Sequence, residues 1–243
     1  MMLALRSLLF NILFYANILL WQIALIPTFF MPRRVLNRCL QSWARSNMWL
    51  MRMVVGTRVE FRGIENIPKG GLLVASKHQS FWETFALLPY FDDPAFVLKR
   101  ELNWIPLFGW YSLKARMVPV DRGGSITAIK AMSKKARETT DQGRQLIIFP
   151  EGTRRAPGAE PNYKQGVIHL YRRLGQPCLP VALNSGQFWP RRRFMRYPGT
   201  IIVEFLPPIP PGLPPKVFFG RLQENVETAS NKLMEEANRN ARI

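Results

Sequence analysis

The sequence is short of histidine and cysteine, and this shortage limits the chemistry it can support. Its two histidines are His78 and His169, so imidazole chemistry has only two candidates. Its two cysteines, Cys39 and Cys178, lie far apart, and no Cys/His cluster has metal-ligand spacing. We therefore expect free thiols in a reducing compartment and no metal site.

Acidic residues are also scarce. The chain has 16 Asp and Glu against 34 Lys and Arg, which gives a formal net charge of +18. Such a charge predicts an anionic partner, which could be a nucleic acid, a phosphorylated substrate or an anionic bilayer. With 243 residues, 47% of them hydrophobic, the chain can build one sizeable core, or one core with a membrane appendage.

Charge is absent altogether from residues 7–32. As a helix this stretch is long enough to cross about 30 Å of hydrocarbon. Only Arg6 precedes it and no small-x-small site comes before Pro32, which argues against a cleaved signal peptide. A transmembrane span and a hairpin within one leaflet both remain open, because polar residues and Pro27 interrupt the apolar run.

The apolar stretch is followed by basic residues. These are Arg33, Arg34, Arg38 and Arg45. The positive-inside rule puts this side in the cytoplasm, so we expect the protein at the cytoplasmic (inner) membrane with its domain on the cytoplasmic side. Residues 37–53 mix arginine with apolar side chains, as an interfacial helix does. We therefore predict a membrane-anchoring helical segment at 1–54 and one domain at 55–243.

Short apolar runs alternate with helical patterns along that domain. The run Leu72–Ala75 follows two glycines and predicts a buried strand. Further strands are predicted at 57–62, 94–99, 115–120 and 146–149. This alternation predicts an α/β fold with a mixed, largely parallel sheet flanked by helices, in which several strand ends share one edge.

The predicted strand at Leu72–Ala75 leads to His78. Glu83 follows five residues later, one to two turns into the predicted helix. A neutral imidazole can take a proton from an alcohol, and a carboxylate on its other nitrogen fixes the tautomer. The substrate's own hydroxyl can then attack, without a protein nucleophile. The alternative is a surface histidine beside a helix N-cap at Gln79 or Ser80.

Cationic side chains follow the other predicted strands. Lys99, Arg122 and Arg154 each lie near a strand end, and Gly152 lets backbone come close to a ligand. Together they predict a basic cup beside the imidazole that suits a phosphorylated alcohol. Lys99 and Arg122 are argued from strand-end position more than from a motif, and a solvated surface role fits Lys99 about equally well.

Two aromatic segments have open interpretations. Residues 102–111 are either a packed loop or a lip that touches lipid or an acyl chain. Residues 188–197 combine arginines with aromatic side chains, which would suit nucleic acid. Beside an apolar N-terminus we expect this second segment to meet anionic head groups instead, and we expect no nucleic-acid partner.

Four motifs follow one another in order and at suitable spacing. They are KHQSFWE at 77–83, VPVDR at 118–122, FPEGTR at 149–154 and LPVAL at 179–183. Over roughly residues 55–210 the chain resembles the 1-acyl-sn-glycerol-3-phosphate acyltransferase family of glycerolipid acyltransferases. The resemblance makes 55–243 an acyltransferase domain. One departure is Glu83, where the family pattern has Asp.

The resemblance implies roles for individual residues. His78 looks like the general base, Glu83 its orienting partner and Arg154 the phosphate ligand. Glu151 and Gly152 would shape the pocket around the glycerol. Thr153 belongs to the same substrate-binding motif.

The resemblance also implies a reaction. The acyl group of acyl-CoA or acyl-carrier protein would pass to lysophosphatidic acid and form phosphatidic acid, with the thioester as co-substrate and no cofactor. An alternative acceptor is another lysolipid, such as a lyso-ornithine lipid or another lysophospholipid.

Overall fold

The structure, a computed structural model, describes residues 1–121 and 126–240. Its α-helices are α1 Met2–Ala24, α2 Arg33–Val54, α3 Glu83–Ala86, α4 Phe108–Lys114, α5 Ile126–Asp141, α6 Gly166–Leu174, α7 Ser185–Phe188 and α8 Pro215–Asn240. Short 3-10 helices occupy Ile26–Phe30, Ile64–Asn66, Leu88–Tyr90 and Arg100–Trp104.

Within the described residues one seven-stranded sheet organises the domain. Its strands are β1 Thr57–Arg62, β2 Leu72–Ser76, β3 Pro94–Lys99, β4 Val118–Val120, β5 Gln145–Ile148, β6 Cys178–Leu183 and β7 Gly199–Phe205. They lie in the order β1-β7-β6-β2-β5-β3-β4, and only the β6–β7 pairing is antiparallel. The predicted mixed, largely parallel sheet is confirmed.

Parallel pairing decides where the strand ends lie. Since β2, β3, β4, β5 and β6 run the same way, their carboxyl ends meet at one edge of the sheet. The strand predicted from residue 115 begins only at Val118, because Ala115 caps α4 and Arg116 takes a positive φ of 53° that interrupts extended backbone.

The sheet is buried on both faces. Along β2, Leu72 and Val74 join a core cluster with α2 and α3, while Leu73 and Ala75 join a second cluster with α5, α6 and α8. All five β2 residues are buried, which explains why this strand has an unbroken apolar run instead of an alternating one.

The N-terminal helices pack against the domain instead of standing apart from it. On α1, Phe10 and Phe14 are buried in the first core cluster, and Asn17 donates to Ser46 Oγ and Asn47 Oδ1 of α2, each at 3.0 Å. By length and composition, residues Met2–Phe30 could cross a membrane. The outer side of α1 is apolar and exposed, with Leu5, Leu8, Leu9, Ile12, Leu19, Leu20 and Ile23.

Asp93 joins α2 to the sheet. Its carboxylate lies 2.7 Å from Arg33 Nη2 and accepts from Asn37 Nδ2 at 2.6 Å, both on α2. It also lies 3.1 Å from Nε of Arg144, whose side chain is only 1% exposed. Burial lowers the pKa of Arg144 to about 10, and Asp93 acts in the opposite direction. The buried guanidinium therefore depends on this carboxylate.

We predict that Asp93→Ala lowers the free energy of unfolding by about 3 kcal/mol, because it leaves the buried Arg144 charge without its counter-ion. Asp92→Ala is the matched control, since Asp92 is the exposed neighbour in the same turn. Denaturant unfolding in detergent measures both. Equal stability of the two variants would show that Asp93 does not support Arg144.

Candidate active site

His78 lies two residues beyond the end of β2, at the shared edge of the sheet. Its Nδ1 is 2.9 Å from Oε1 of Glu83, whose side chain is fully buried. The imidazole itself is 13% exposed. With Nδ1 occupied by the carboxylate, Nε2 is the ring nitrogen left to act on a substrate proton.

The Glu83 carboxylate accepts from four donors. Besides His78, Oε1 takes the backbone N–H groups of Gln79 and Ser80, both at 2.7 Å. Oε2 takes the hydroxyl of Ser185 at 2.8 Å. Because an ionised carboxylate only accepts, four donors match that form and hold it in one orientation.

Glu83 is the first residue of α3, so the prediction that it lies one to two turns into the helix was wrong. In the turn before this helix, Trp82 N donates to Ser80 Oγ at 3.2 Å and Ser80 N donates to Glu83 Oε1 at 2.7 Å. These reciprocal bonds follow the capping-box pattern of a serine and a glutamate three residues apart. The N-cap residue of α3 is Trp82, and Glu83 Oε1 contacts both Ser80 N and His78 Nδ1.

The loop after β5 supports the ring of His78 from its face. Phe149 stacks on the imidazole with centroids 3.9 Å apart and an interplanar angle of 16°. Arg155 N donates to the His78 carbonyl at 2.8 Å. The KHQSFWE and FPEGTR segments thus meet in space, as their strand-end positions predicted.

The FPEGTR residues point in different directions. Arg154 is partly buried, and burial together with Arg191 lowers its pKa, while Glu83 raises it. Thr153 is exposed, and Gly152 takes a positive φ of 66° at the turn. Glu151 is 2% exposed and its carboxylate faces Lys77, so it is directed into the protein and not towards either cavity described below.

The other candidate residues lie away from Arg154 or outside the described residues. Lys99 is about half exposed, with Nζ 3.0 Å from Glu101, and lines a different cavity from Arg154. Arg122 lies outside the described residues. His169 is exposed on α6.

An apolar cavity of about 320 Å³ opens beside His78. The 102–111 segment contributes to its wall through Leu102, Phe108 and Tyr111, so this segment packs around a space large enough for part of a lipid chain. The remaining wall consists mainly of Ile18, Trp21, Leu25, Leu40, Trp43, Phe81, Leu88, Phe96, Leu98, Met117 and Phe149.

A second cavity of about 370 Å³ is rich in arginine. Ile18 and Phe81 line both cavities, so the two cavities adjoin at these side chains. Phe81 belongs to the KHQSFWE motif. The basic residues of the second cavity are Arg154, Arg192, Arg193 and Arg196. Arg191 connects the arginine-rich loop to the FPEGTR loop, because its Nη1 donates to the Arg154 carbonyl at 2.6 Å.

Not all of these arginines are equally free to bind a ligand. Arg196 Nη1 donates to three carbonyls of its own loop, and its guanidinium lies 4.6 Å from the Trp189 ring. Burial lowers its pKa to about 10. Arg192 and Arg193 are exposed, which leaves them and Arg154 as the groups best placed to meet an anion.

Sequence reasoning did not assign a role to Ser185. It follows β6 at the same sheet edge, and its position after the fourth motif was the available signal. Among the described residues no group of three His, Cys, Asp or Glu side chains could hold a metal ion.

Comparison with known proteins agrees with this architecture. A family model described as "Acyltransferase" matches residues 58–184. A 1-acyl-sn-glycerol-3-phosphate acyltransferase of Pseudomonas aeruginosa is 40% identical over 202 residues, covering 82% of this chain and 79% of that protein. The human 1-acyl-sn-glycerol-3-phosphate acyltransferase alpha is 31% identical over 174 residues, covering 68% and 62%.

The fold has a counterpart among solved structures. A crystal structure of the 1-acyl-sn-glycerophosphate (LPA) acyltransferase from Thermotoga maritima matches with a TM-score of 0.79, covering 94% of this chain and 96% of that one. At 24% identity this match speaks for the fold alone. The family model and the sequence relatives confirm the resemblance seen in the motifs, and the chain belongs to the 1-acyl-sn-glycerol-3-phosphate acyltransferase family of glycerolipid acyltransferases.

Proposed function

We propose that this acyltransferase moves an acyl group from a thioester to the free hydroxyl of lysophosphatidic acid and so forms phosphatidic acid in phospholipid biosynthesis. One observation carries the proposal: the imidazole of His78, held by Glu83, borders an apolar cavity that adjoins a cavity with four arginines. The names of the relatives in Pseudomonas and human support the same acceptor.

The proposed reaction uses His78 as general base. Nε2 takes the proton of the acceptor hydroxyl as its oxygen attacks the thioester carbonyl carbon. The carbon–sulfur bond then breaks, and the leaving thiolate receives the proton from the imidazolium. Glu83 stabilises that imidazolium through Nδ1, as the acid of a catalytic triad does. The thioester supplies the driving force, so no cofactor enters the proposal.

The apolar cavity is the proposed site of the donor's acyl chain. Its wall of aromatic and aliphatic side chains reaches the imidazole, which suits a carbonyl placed at His78 with its hydrocarbon tail behind it. Acyl-CoA and acyl-carrier protein both present such a tail. The assay below therefore tests both of them as acyl donors.

The arginine cavity is the proposed site of the acceptor's phosphate. Arg154 offers a planar fork for phosphate oxygens, and Arg192 and Arg193 add positive charge. This charge disfavours a lyso-ornithine lipid, whose head group carries an amine. Gly152 and Thr153 belong to the same turn, whereas we assign Glu151 to holding the loop rather than to contact with glycerol.

We further propose that α1 and α2 lie in the cytoplasmic leaflet of the inner membrane. Ser7 and Asn11 near one end of α1 bond to residues 194–196, and Tyr111 OH donates to Gln22 O near the other end. Both ends of α1 therefore touch the domain, which favours a helix lying in one leaflet over a helix that crosses the membrane. Its exposed leucines would face lipid.

The assay that tests the function supplies labelled acyl-CoA or acyl-carrier protein and a panel of lysolipids. We expect phosphatidic acid as the main product, and His78→Ala and Glu83→Gln should each lower kcat by about 10³-fold while the protein stays folded by circular dichroism. Thioesters of increasing length measure how long a chain the apolar cavity accepts. Near wild-type turnover in either variant would refute the mechanism.

Arg154→Ala should raise the KM for lysophosphatidic acid about tenfold to hundredfold, because a charged hydrogen bond to phosphate contributes about 1.5–3 kcal/mol. The KM for the thioester should stay unchanged. Arg58→Ala is the control, since Arg58 is an exposed arginine on β1 that lines neither cavity. An unaltered acceptor KM in Arg154→Ala would move the phosphate elsewhere.

Leu20→Glu should weaken binding to anionic vesicles about tenfold, because it places a charge on the exposed apolar side of α1 and removes leucine surface that would contact lipid. Val217→Glu makes the same kind of change on exposed apolar surface of α8 and should leave binding intact. Cosedimentation with vesicles measures both. Equal loss in the two variants would contradict docking through α1.

A further inference from the structure

A buried ion cluster lies behind the active-site histidine. Lys77, which precedes His78, is 3% exposed, and its Nζ lies 2.7 Å from Oε1 of Glu227 and 3.3 Å from each oxygen of Glu151. Tyr163 OH donates to the same Oε1 of Glu227 at 2.9 Å. One ammonium is thus shared between two carboxylates from distant parts of the chain.

The cluster joins the two loops that hold the imidazole. Glu83 orients the ring from the KHQSFWE segment, while Phe149 stacks on it from the loop after β5. Lys77 belongs to the first segment and Glu151 to the second. Their ion pair therefore helps fix the position of the stacking ring relative to the imidazole that it touches.

Glu227 sets the position of the Lys77 ammonium between the two loops. Its contact with Lys77 is the shorter one, whereas Oε2 of Glu151 is buried without a hydrogen-bond partner among the described residues. Burial raises the pKa of Glu151, Lys77 lowers it and Glu227 raises it again. Without Glu227, the ammonium would lose its closest partner and keep only Glu151, so we expect the two loops to shift relative to each other.

We propose that Glu227 on α8 is a positioning residue for His78 and acts through Lys77. The family model matches residues 58–184, so Glu227 lies in a part of the chain to which that match assigns nothing. The inference rests on the proposed function, because its readout is acyl transfer. It predicts that an interaction made by the C-terminal helix changes turnover without touching either substrate.

The test compares two ion pairs on the same helix. Glu227→Gln should lower kcat about tenfold and leave the KM of donor and acceptor within about twofold. Tyr163→Phe, which removes one hydrogen bond to Glu227, should lower kcat by about two- to threefold. Glu236→Gln is the matched control: Glu236 pairs in bidentate fashion with Arg62 of β1, away from the motif loops, and its loss should leave kcat unchanged.

Thermal unfolding of the same variants separates positioning from general stability. A Tm loss equal in Glu227→Gln and Glu236→Gln, with a kcat loss only in the first, supports the proposal. Unchanged kcat in Glu227→Gln overturns it, and if that variant does not fold, unchanged kcat in Tyr163→Phe does so. Lys77→Met completes a double-mutant cycle in which additive losses would also overturn it. A wild-type protein without any transfer would instead refute the proposed function.

Discussion

The site depends on the carboxylate of Glu83, which binds donors from two segments of the chain, residues 78–80 and Ser185. It holds the imidazole at Nδ1, closes the turn through two backbone N–H groups, and reaches across to Ser185 after β6. Glutamate has one methylene more than the aspartate of the family pattern. The Glu83 carboxylate folds back over its own turn to Ser80 N–H while its Oε1 also contacts the ring.

The order of strands explains why these segments meet. β2 lies between β5 and β6, and all three run parallel. The loops that follow them carry His78, Phe149 and Ser185, so neighbouring strands deliver the base, its stacking partner and the serine that binds its acid. The site thus occupies the carboxyl edge of the sheet, where open α/β folds bind their ligands.

What could be predicted from the sequence was local or followed from strand direction. The bounds of β1 and β3 agree with the apolar patterns at 57–62 and 94–99, and the shared edge follows from strand–helix alternation. Lys99 lines the apolar cavity and not the arginine cavity, because the position of a strand end does not fix where a long side chain points. Glu227 could not be foreseen, since its partner Lys77 is separated from it by 150 residues of sequence.

The polar residues of α1 bind other parts of the protein, which sequence reasoning missed. They weakened the case for a membrane span, yet in the structure Ser7 and Asn11 bind the arginine-rich loop, and Asn17 binds α2. Because Ile18 then lines both cavities, the N-terminal helix is part of the wall of the site as well as a candidate anchor. On the proposed leaflet position of α1, an acceptor would reach the two cavities past Ile18. On the proposed reaction, the segment that holds the enzyme at the lipid surface also sets the direction from which the substrate arrives.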